Sequence, residues 1–227
     1  MIKAAIFDLD DTLYNYEAIN KLAINNLCEY TCNILKISNQ EFNEAFEYGR
    51  KATKEELGDC AAQHNRMLYC QKALEYLKVK PTLYALEMYE VYWKTVLENM
   101  FLNEGVIELF EFLKEKNIKI GICTDLTVHI QHRKIRKLGI DKYIDCIVSS
   151  EEAGREKPDF KMFNLCLKKL NITPDKAIYI GDSFKKDIIG AQNAGIKAFW
   201  FNGKSDKISK GQQVKAIEHI LDLKEFI

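Results

Sequence analysis

Asn117-Ile118-Lys119-Ile120-Gly121-Ile122-Cys123-Thr124 carries the pattern that decides the fold. Asn117 tolerates the left-handed backbone region and stands before an apolar residue, the signal that ends a helix at its C′ position. The apolar run 118–123 then reads as a buried strand, and a hydroxylated residue, Thr124, follows it. The same termination recurs at Gly139-Ile140, Asn171-Ile172 and Gly195-Ile196. Helices are expected over 106–113, 128–138, 163–170 and 188–194, and strands over 118–123, 144–148, 177–180 and 198–201. Helices and strands in strict alternation argue for a parallel sheet covered by helices.

Working back toward the N-terminus, Lys3 to Asp8 is a short apolar run followed at once by Asp10, Asp11 and Thr12, so it reads as a further buried strand entering a loop. Between it and the alternating region the periodicity changes. Ile19, Leu22, Ala23, Leu27, Tyr30 and Ile34 recur at helical spacing, as do Met67, Cys70, Leu74 and Leu77, and then Leu86, Tyr89, Trp93 and Val96. The expected class is therefore α/β: a Rossmann-like parallel sheet core flanked by helices, formed by 1–14 and 98–227, with an all-helical domain, 15–97, inserted after the first strand.

Composition narrows the partners. In 227 residues, Lys+Arg and Asp+Glu both number 33, so the net charge is near zero. Such balance offers no broad attraction to nucleic acid or an anionic membrane, and an anionic ligand must be held by a local site. No stretch approaches the ~20 apolar residues of a spanning helix, and the N-terminal apolar run is too short for a signal peptide. A cytoplasmic protein is expected. The seven cysteines show no paired pattern. Cys28 and Cys32 share a helix face, but without a neighbouring ligand at metal spacing they read as thiols in a reducing compartment.

In open parallel sheets, ligands bind at the carboxyl ends of the strands. Those ends carry Asp8-Leu9-Asp10-Asp11-Thr12, Thr124-Asp125, Lys157 and Gly181-Asp182-Ser183, with Asp187 a turn later. Asp8 and Asp10 are two apart and would point the same way in an extended chain. With Asp182 they make three acids that repel one another unless a hard divalent cation joins them. Mg²⁺ suits carboxylate oxygens, and the absence of histidine from these loops disfavours zinc. Lys157 offsets the acids and can hold a phosphate oxygen. Thr124 offers a hydroxyl, and the N–H groups after it can cradle an anion. Such a set is built for phosphoryl transfer: Asp8 as nucleophile, Asp10 protonating the leaving oxygen and then activating water. Each motif alone is weak, since Ser183 could simply cap a helix and Lys157-Pro158 could be an ordinary turn. Their order, each at a strand end, gives them weight.

With these four motifs the chain resembles the haloacid dehalogenase-like hydrolase superfamily, in the subfamily with a helical cap after strand one. The resemblance implies that Asp8 is nucleophile and metal ligand. It implies that Asp10 is acid/base and gives its backbone carbonyl to Mg²⁺, and that Asp182 completes the protein ligands with Asp187 behind it. Thr124, the Asp125 N–H and Lys157 would bind the phosphoryl group. A cap that opens and closes would exclude water, and a turn near 13–17 would link cap and core. Asp125 departs from the Asn, Ser or Gly of many relatives, and its carboxylate could repel phosphate unless it faces away. Asp11 replaces a common Gly and is expected to face out.

The expected substrate is a small phosphorylated metabolite, with Arg66 and His64 of the cap as candidate contacts and Tyr14 and Tyr16 as pocket or hinge residues. The expected activity is Mg²⁺-dependent hydrolysis of a phosphate monoester by a monomer or homodimer. A phosphomutase keeps both acids and stays open at this point. A haloacid dehalogenase would lack the acid at Asp10, because a halide leaves unprotonated. A non-catalytic binding module is disfavoured by intact Asp8, Asp10, Lys157 and Asp182.

Overall fold

The computed structural model describes residues 1–203 and 214–227. Two compact units result: Met1–Asn15 with Phe101–Ile227, and Tyr16–Met100. In chain order, β1 (Ala4–Phe7) precedes the four helices of the second unit: α1 (Tyr16–Leu35), α2 (Asn39–Leu57), α3 (Arg66–Tyr76) and α4 (Ala85–Glu98). The first unit then continues through α5 (Val106–Glu115), β2 (Lys119–Thr124), α6 (Val128–Lys137), β3 (Cys146–Ser149) and α7 (Ser150–Ala153). It ends with α8 (Phe160–Leu170), β4 (Ala177–Gly181), α9 (Ile189–Asn193), β5 (Lys197–Phe201) and β6 (Lys215–Ile217).

The sheet has the order β3-β2-β1-β4-β5-β6 and every pairing is parallel. All four residues of β1 are fully buried, as an unbroken apolar strand must be when helices cover both faces. Phe7 lies opposite Ile122 of β2 and Ile180 of β4. The chain steps outward from β1 through β2 to β3, then returns to the other side of β1 as β4. This reversal puts the carboxyl ends of β1 and β4 side by side at a topological switch point, where ligand crevices form. Asp8, Thr124 and Asp182 all leave the sheet along that edge.

The four predicted helix stops all adopt positive φ: 57° at Asn117, 68° at Gly139, 54° at Asn171 and 77° at Gly195. Element ends differ from expectation by a few residues. α8 begins at Phe160, earlier than the apolar pattern indicates, because the Asp159 carboxylate accepts the Lys161 N–H at 2.9 Å and caps the helix. The helix expected over 188–194 is α9, entered through a π-helical turn, Phe184–Ile188, that the pattern did not indicate. β6 is an unpredicted addition to the sheet edge.

The helical unit contains α2, which the apolar periodicity did not reveal. Its buried face is Phe42, Ala45, Phe46, Gly49 and Thr53, too sparse in large apolar residues to register as a stripe. Its start was legible in another signal, a capping box: Ser38 Oγ accepts the Glu41 N–H at 3.2 Å and Glu41 Oε2 accepts the Ser38 N–H at 2.8 Å. A Cβ on Gly49 would come within 2.4 Å of the Tyr69 carbonyl oxygen, so α2 and α3 meet backbone to backbone. All seven cysteines are free thiols, with the Cys28 and Cys32 sulfurs 3.9 Å apart on α1. Among the described residues no helix is long and apolar enough to cross a membrane.

Candidate active site

Asp8 is the first residue beyond β1, held in line by its N–H donating to the Ile180 carbonyl at 2.8 Å. Its side chain is buried. Lys157 Nζ donates to Asp8 Oδ1 and to Asp187 Oδ1, both at 2.6 Å, and lies 3.3 Å from the Tyr179 hydroxyl. Asp187 is tied further: Tyr179 Oη donates to its Oδ1 at 2.9 Å, and the Ser183 N–H donates to its Oδ2 at 2.9 Å. This packing requires Gly181, where a Cβ would sit 2.4 Å from Asp187 Cγ. Asp182, at the end of β4, has its backbone fixed by Trp200 Nε1 donating to its carbonyl at 2.7 Å. Thr12 Oγ1 donates to its Oδ1 at 3.5 Å.

Carboxylate oxygens of Asp8, Asp182 and Asp187 lie within 4.8 Å of one another. The electrostatics of this crowd are adverse. Burial pushes Asp8 up; Lys157 pulls it down, Asp187 and Asp182 push it up again, and it stays well above the usual carboxylate range. Burial and then Asp187 push Asp182 up to about 6. Burial alone would lower Lys157, but Asp187 and Asp8 hold it well above its ordinary value. Several oxygen donors with one internal ammonium and residual unbalanced negative charge form a donor set that fits a hard divalent cation such as Mg²⁺.

The sequence grouped the Asp10 carboxylate with Asp8 and Asp182; the three carboxylates that lie within 4.8 Å of one another are those of Asp8, Asp182 and Asp187. The chain turns after Leu9, with the Leu13 N–H donating to the Leu9 carbonyl at 3.0 Å, so the alternation of an extended strand ends there. Asp10 instead meets Lys134 of α6, whose Nζ is 2.8 Å from both Oδ1 and Oδ2. The Tyr14 hydroxyl also donates to Oδ1. Burial would raise the Asp10 carboxyl, but Lys134, Tyr14 and Gln131 outweigh it and hold it below its ordinary value.

Thr124 is buried at the end of β2, and Gln131 Nε2 donates to its Oγ1 at 2.7 Å. Asp125 does turn its charge aside: Oδ1 accepts the Lys157 N–H at 3.0 Å and Oδ2 accepts Lys186 Nζ at 2.8 Å. Of the N–H groups after Thr124, that of Leu126 donates to Ser150 Oγ at 2.9 Å and that of Val128 to Glu151 Oε2 at 2.7 Å, so neither is offered to an anion, whereas that of Asp125 stays a candidate. Leu126 has φ 101°, a conformation a branched residue rarely takes outside functional loops. Asp11 has φ 62°, which explains how it stands where Gly is common. It is half-buried rather than turned fully outward, and its charge adds to the rise of Asp182.

Gln131, Lys134, Tyr179 and Lys186 were missed. The signal for the first two was present: on α6 they occupy the buried stripe with Ile130 and Ile135, so two polar residues stand at apolar phases of the helix. In the helical unit, Arg66 donates to the His64 carbonyl at 2.6 Å and to the Tyr16 hydroxyl, and lies over the rings of Tyr69, Tyr92 and Trp93. Arg66 and His64 line a cavity with Asn20, Arg50, Lys54 and Tyr92, and no acid lines it among the described residues.

A parallel α/β sheet with acids, buried lysines and a threonine at the carboxyl ends of its strands defines a class of phosphoryl-handling hydrolases. The comparisons agree. Residues 5–201 match the family described as haloacid dehalogenase-like hydrolase, and the chain belongs to that family. It is 36% identical over 204 residues to the ribulose-1,5-bisphosphate 5-phosphatase of Halopiger xanaduensis, covering 89% of this chain and 85% of that protein. It is 29% identical over 234 residues to the glyceraldehyde 3-phosphate phosphatase of Methanothermobacter thermautotrophicus, covering 100% of both. Among solved structures, a 2-haloacid dehalogenase from Pseudomonas syringae superimposes with a TM-score of 0.80 at 25% identity, covering 99% of this chain and 97% of that one. The protein is accordingly a hydrolase acting on phosphate monoesters, of a family whose phosphatases generally use Mg²⁺.

Proposed function

We propose that the protein hydrolyses a small phosphorylated sugar through a phosphoryl-aspartate on Asp8. The observation that carries this reading is the buried Asp8 carboxylate at the switch point, with one oxygen paired to Lys157 and two further acids beside it. In the first step an Asp8 oxygen attacks phosphorus, the bond from phosphorus to the substrate oxygen breaks, and Asp10 gives that oxygen its proton. In the second, Asp10 takes a proton from water, the water oxygen attacks phosphorus, and the bond to Asp8 breaks to release inorganic phosphate. Lys157, Thr124 and the Asp125 N–H hold the phosphoryl oxygens, with Lys157 also neutralising charge that builds on them. Asp8, Asp182 and the Asp10 backbone carbonyl would hold Mg²⁺, with Asp187 buttressing Lys157 and Ser183. The ion would supply positive charge against the phosphoryl oxygens.

The names of the relatives support a phosphorylated sugar as substrate. Asp10 supports an ester over a halide, because an alkoxide needs a proton to leave. The cationic, acid-free cavity supports a role for Arg66 and His64 in holding an anionic part of a ligand. The test is incubation with Mg²⁺ and a panel that includes glyceraldehyde 3-phosphate and ribulose 1,5-bisphosphate, following free phosphate and isomerised sugar. Phosphate release that stops in EDTA and returns with Mg²⁺ is expected. An isomer without free phosphate, or release undisturbed by chelator, overturns the reading.

A further inference from the structure

We infer that Lys134, together with Gln131 and Tyr14, is a positioning group for the Asp10 side chain, and that this cradle sets how well the enzyme expels poor leaving groups. The inference rests on the proposed acid/base role of Asp10. Lys134 is fully buried, and an ammonium in the interior persists only when it is paired. Its Nζ spans both Asp10 oxygens at 2.8 Å, which fixes the plane of the carboxyl group and not merely its distance. The Tyr14 hydroxyl donates to Oδ1 as well. Gln131 Nε2 lies 3.5 Å from Oδ2 while donating at 2.7 Å to Thr124 Oγ1 and to the Asp125 carbonyl. The amide that donates to the threonine proposed for the phosphoryl group thus also lies against the acid/base residue.

Packing alone does not account for this arrangement. Gln131 Oε1 is buried without a partner among the described residues, so one acceptor goes unmet while Nε2 makes its contacts. Two apolar residues at these phases of α6 would fill the same space, but they would leave the Asp10 carboxylate without its cation and Thr124 Oγ1 without its donor, so the polar pair serves those two groups and not the packing of the helix. These donors also favour the ionised carboxylate, so the frame acts through orientation: a carboxyl group that must meet a leaving oxygen in one orientation gains from it, since small misplacements at a reacting centre cost rate steeply, and that gain has to exceed what the pairing costs in proton donation.

The test compares kcat/KM for glyceraldehyde 3-phosphate with that for p-nitrophenyl phosphate. The first needs a proton on its leaving oxygen; the second expels a stable anion. Because kcat/KM reports events up to loss of the leaving group, it isolates the step in which Asp10 acts as acid. Lys134→Met is expected to lower the value for the sugar phosphate by roughly 10²-fold or more and that for the aryl ester by less than about 10-fold. Tyr14→Phe, which keeps the ring, should show the same bias more weakly and guards against a Lys134 variant that does not fold. In an Asp10→Asn background, Lys134→Met should cause little further loss on the sugar phosphate, because the two groups act as a unit. Equal losses on both esters in folded Lys134→Met and Tyr14→Phe, or additive losses with Asp10→Asn, overturn the inference. A wild-type protein inactive on both esters would instead remove the parent reading.

Discussion

Mg²⁺ should stabilise this protein against heat more at about pH 7.5 than at about pH 5, and the reason lies in Asp182. Burial and the neighbouring Asp187 push its carboxyl group from the ordinary 3.8 up to about 6. A folded-state value above the unfolded one means that the folded protein holds the proton more tightly. That contribution to stability is complete below the ordinary value and is lost as pH rises through about 6. The displacement from 3.8 to about 6 corresponds to roughly 3 kcal/mol. Asp182 is partly exposed, so solvent screening leaves about 1.5–3 kcal/mol. For a chain of this size that is a change of about 3–12 °C in midpoint. Asp8 is raised by the same crowding and acts in the same direction. A bound divalent ion relieves the repulsion where the acids are ionised and has less to relieve where they are protonated. The assay is thermal unfolding by circular dichroism at both pH values, with excess Mg²⁺ or with EDTA. Asp182→Asn should weaken the Mg²⁺ effect and its pH dependence, leaving the part that Asp8 carries, and raise the metal-free midpoint at the higher pH. An Mg²⁺ effect equal at the two pH values, or larger at the acid one, refutes the reasoning.

Asp8→Asn should abolish phosphate release, by roughly 10⁴-fold or more, while the circular dichroism spectrum and melting cooperativity persist; undiminished release would exclude Asp8 as the attacking group. Lys157→Met removes the ammonium shared by Asp8 and Asp187. The loss of about 3–5 kcal/mol expected for breaking such a buried pair should lower the metal-free midpoint at neutral pH, and a midpoint unchanged within error would show the pair to be dispensable. Gly181→Ala drives a methyl group into the Asp187 carboxyl, 2.4 Å away. About 1–3 kcal/mol of destabilisation by denaturant titration is expected, with neutral behaviour counting against the close approach.

Much of the core was legible because its signals are local. A left-handed residue before an apolar one ends a helix wherever it occurs, and Asn117, Gly139, Asn171 and Gly195 all did so. Strands buried on both faces show as short apolar runs, and chemistry-bearing residues at their ends could be read in order. α2 escaped because its packing depends on close backbone approach at Gly49, which leaves no apolar stripe to detect. β6 escaped because three residues, Lys215–Ile217, gain strand character only from the neighbour they pair with.

The sequence by itself determined the parallel α/β class, the helical insertion, and which acids, lysine and threonine stand at strand ends. Those properties follow from backbone preference and hydrophobic period, which act over a few residues. Only the tertiary structure decided which carboxylates crowd within 4.8 Å of one another and which lysine each meets. Asp187 joined Asp8 and Asp182, while Asp10 was drawn to Lys134, a residue 124 positions away in the chain. Charges buried together sort themselves by distance in space and by competing partners, and neither is encoded in spacing along the chain.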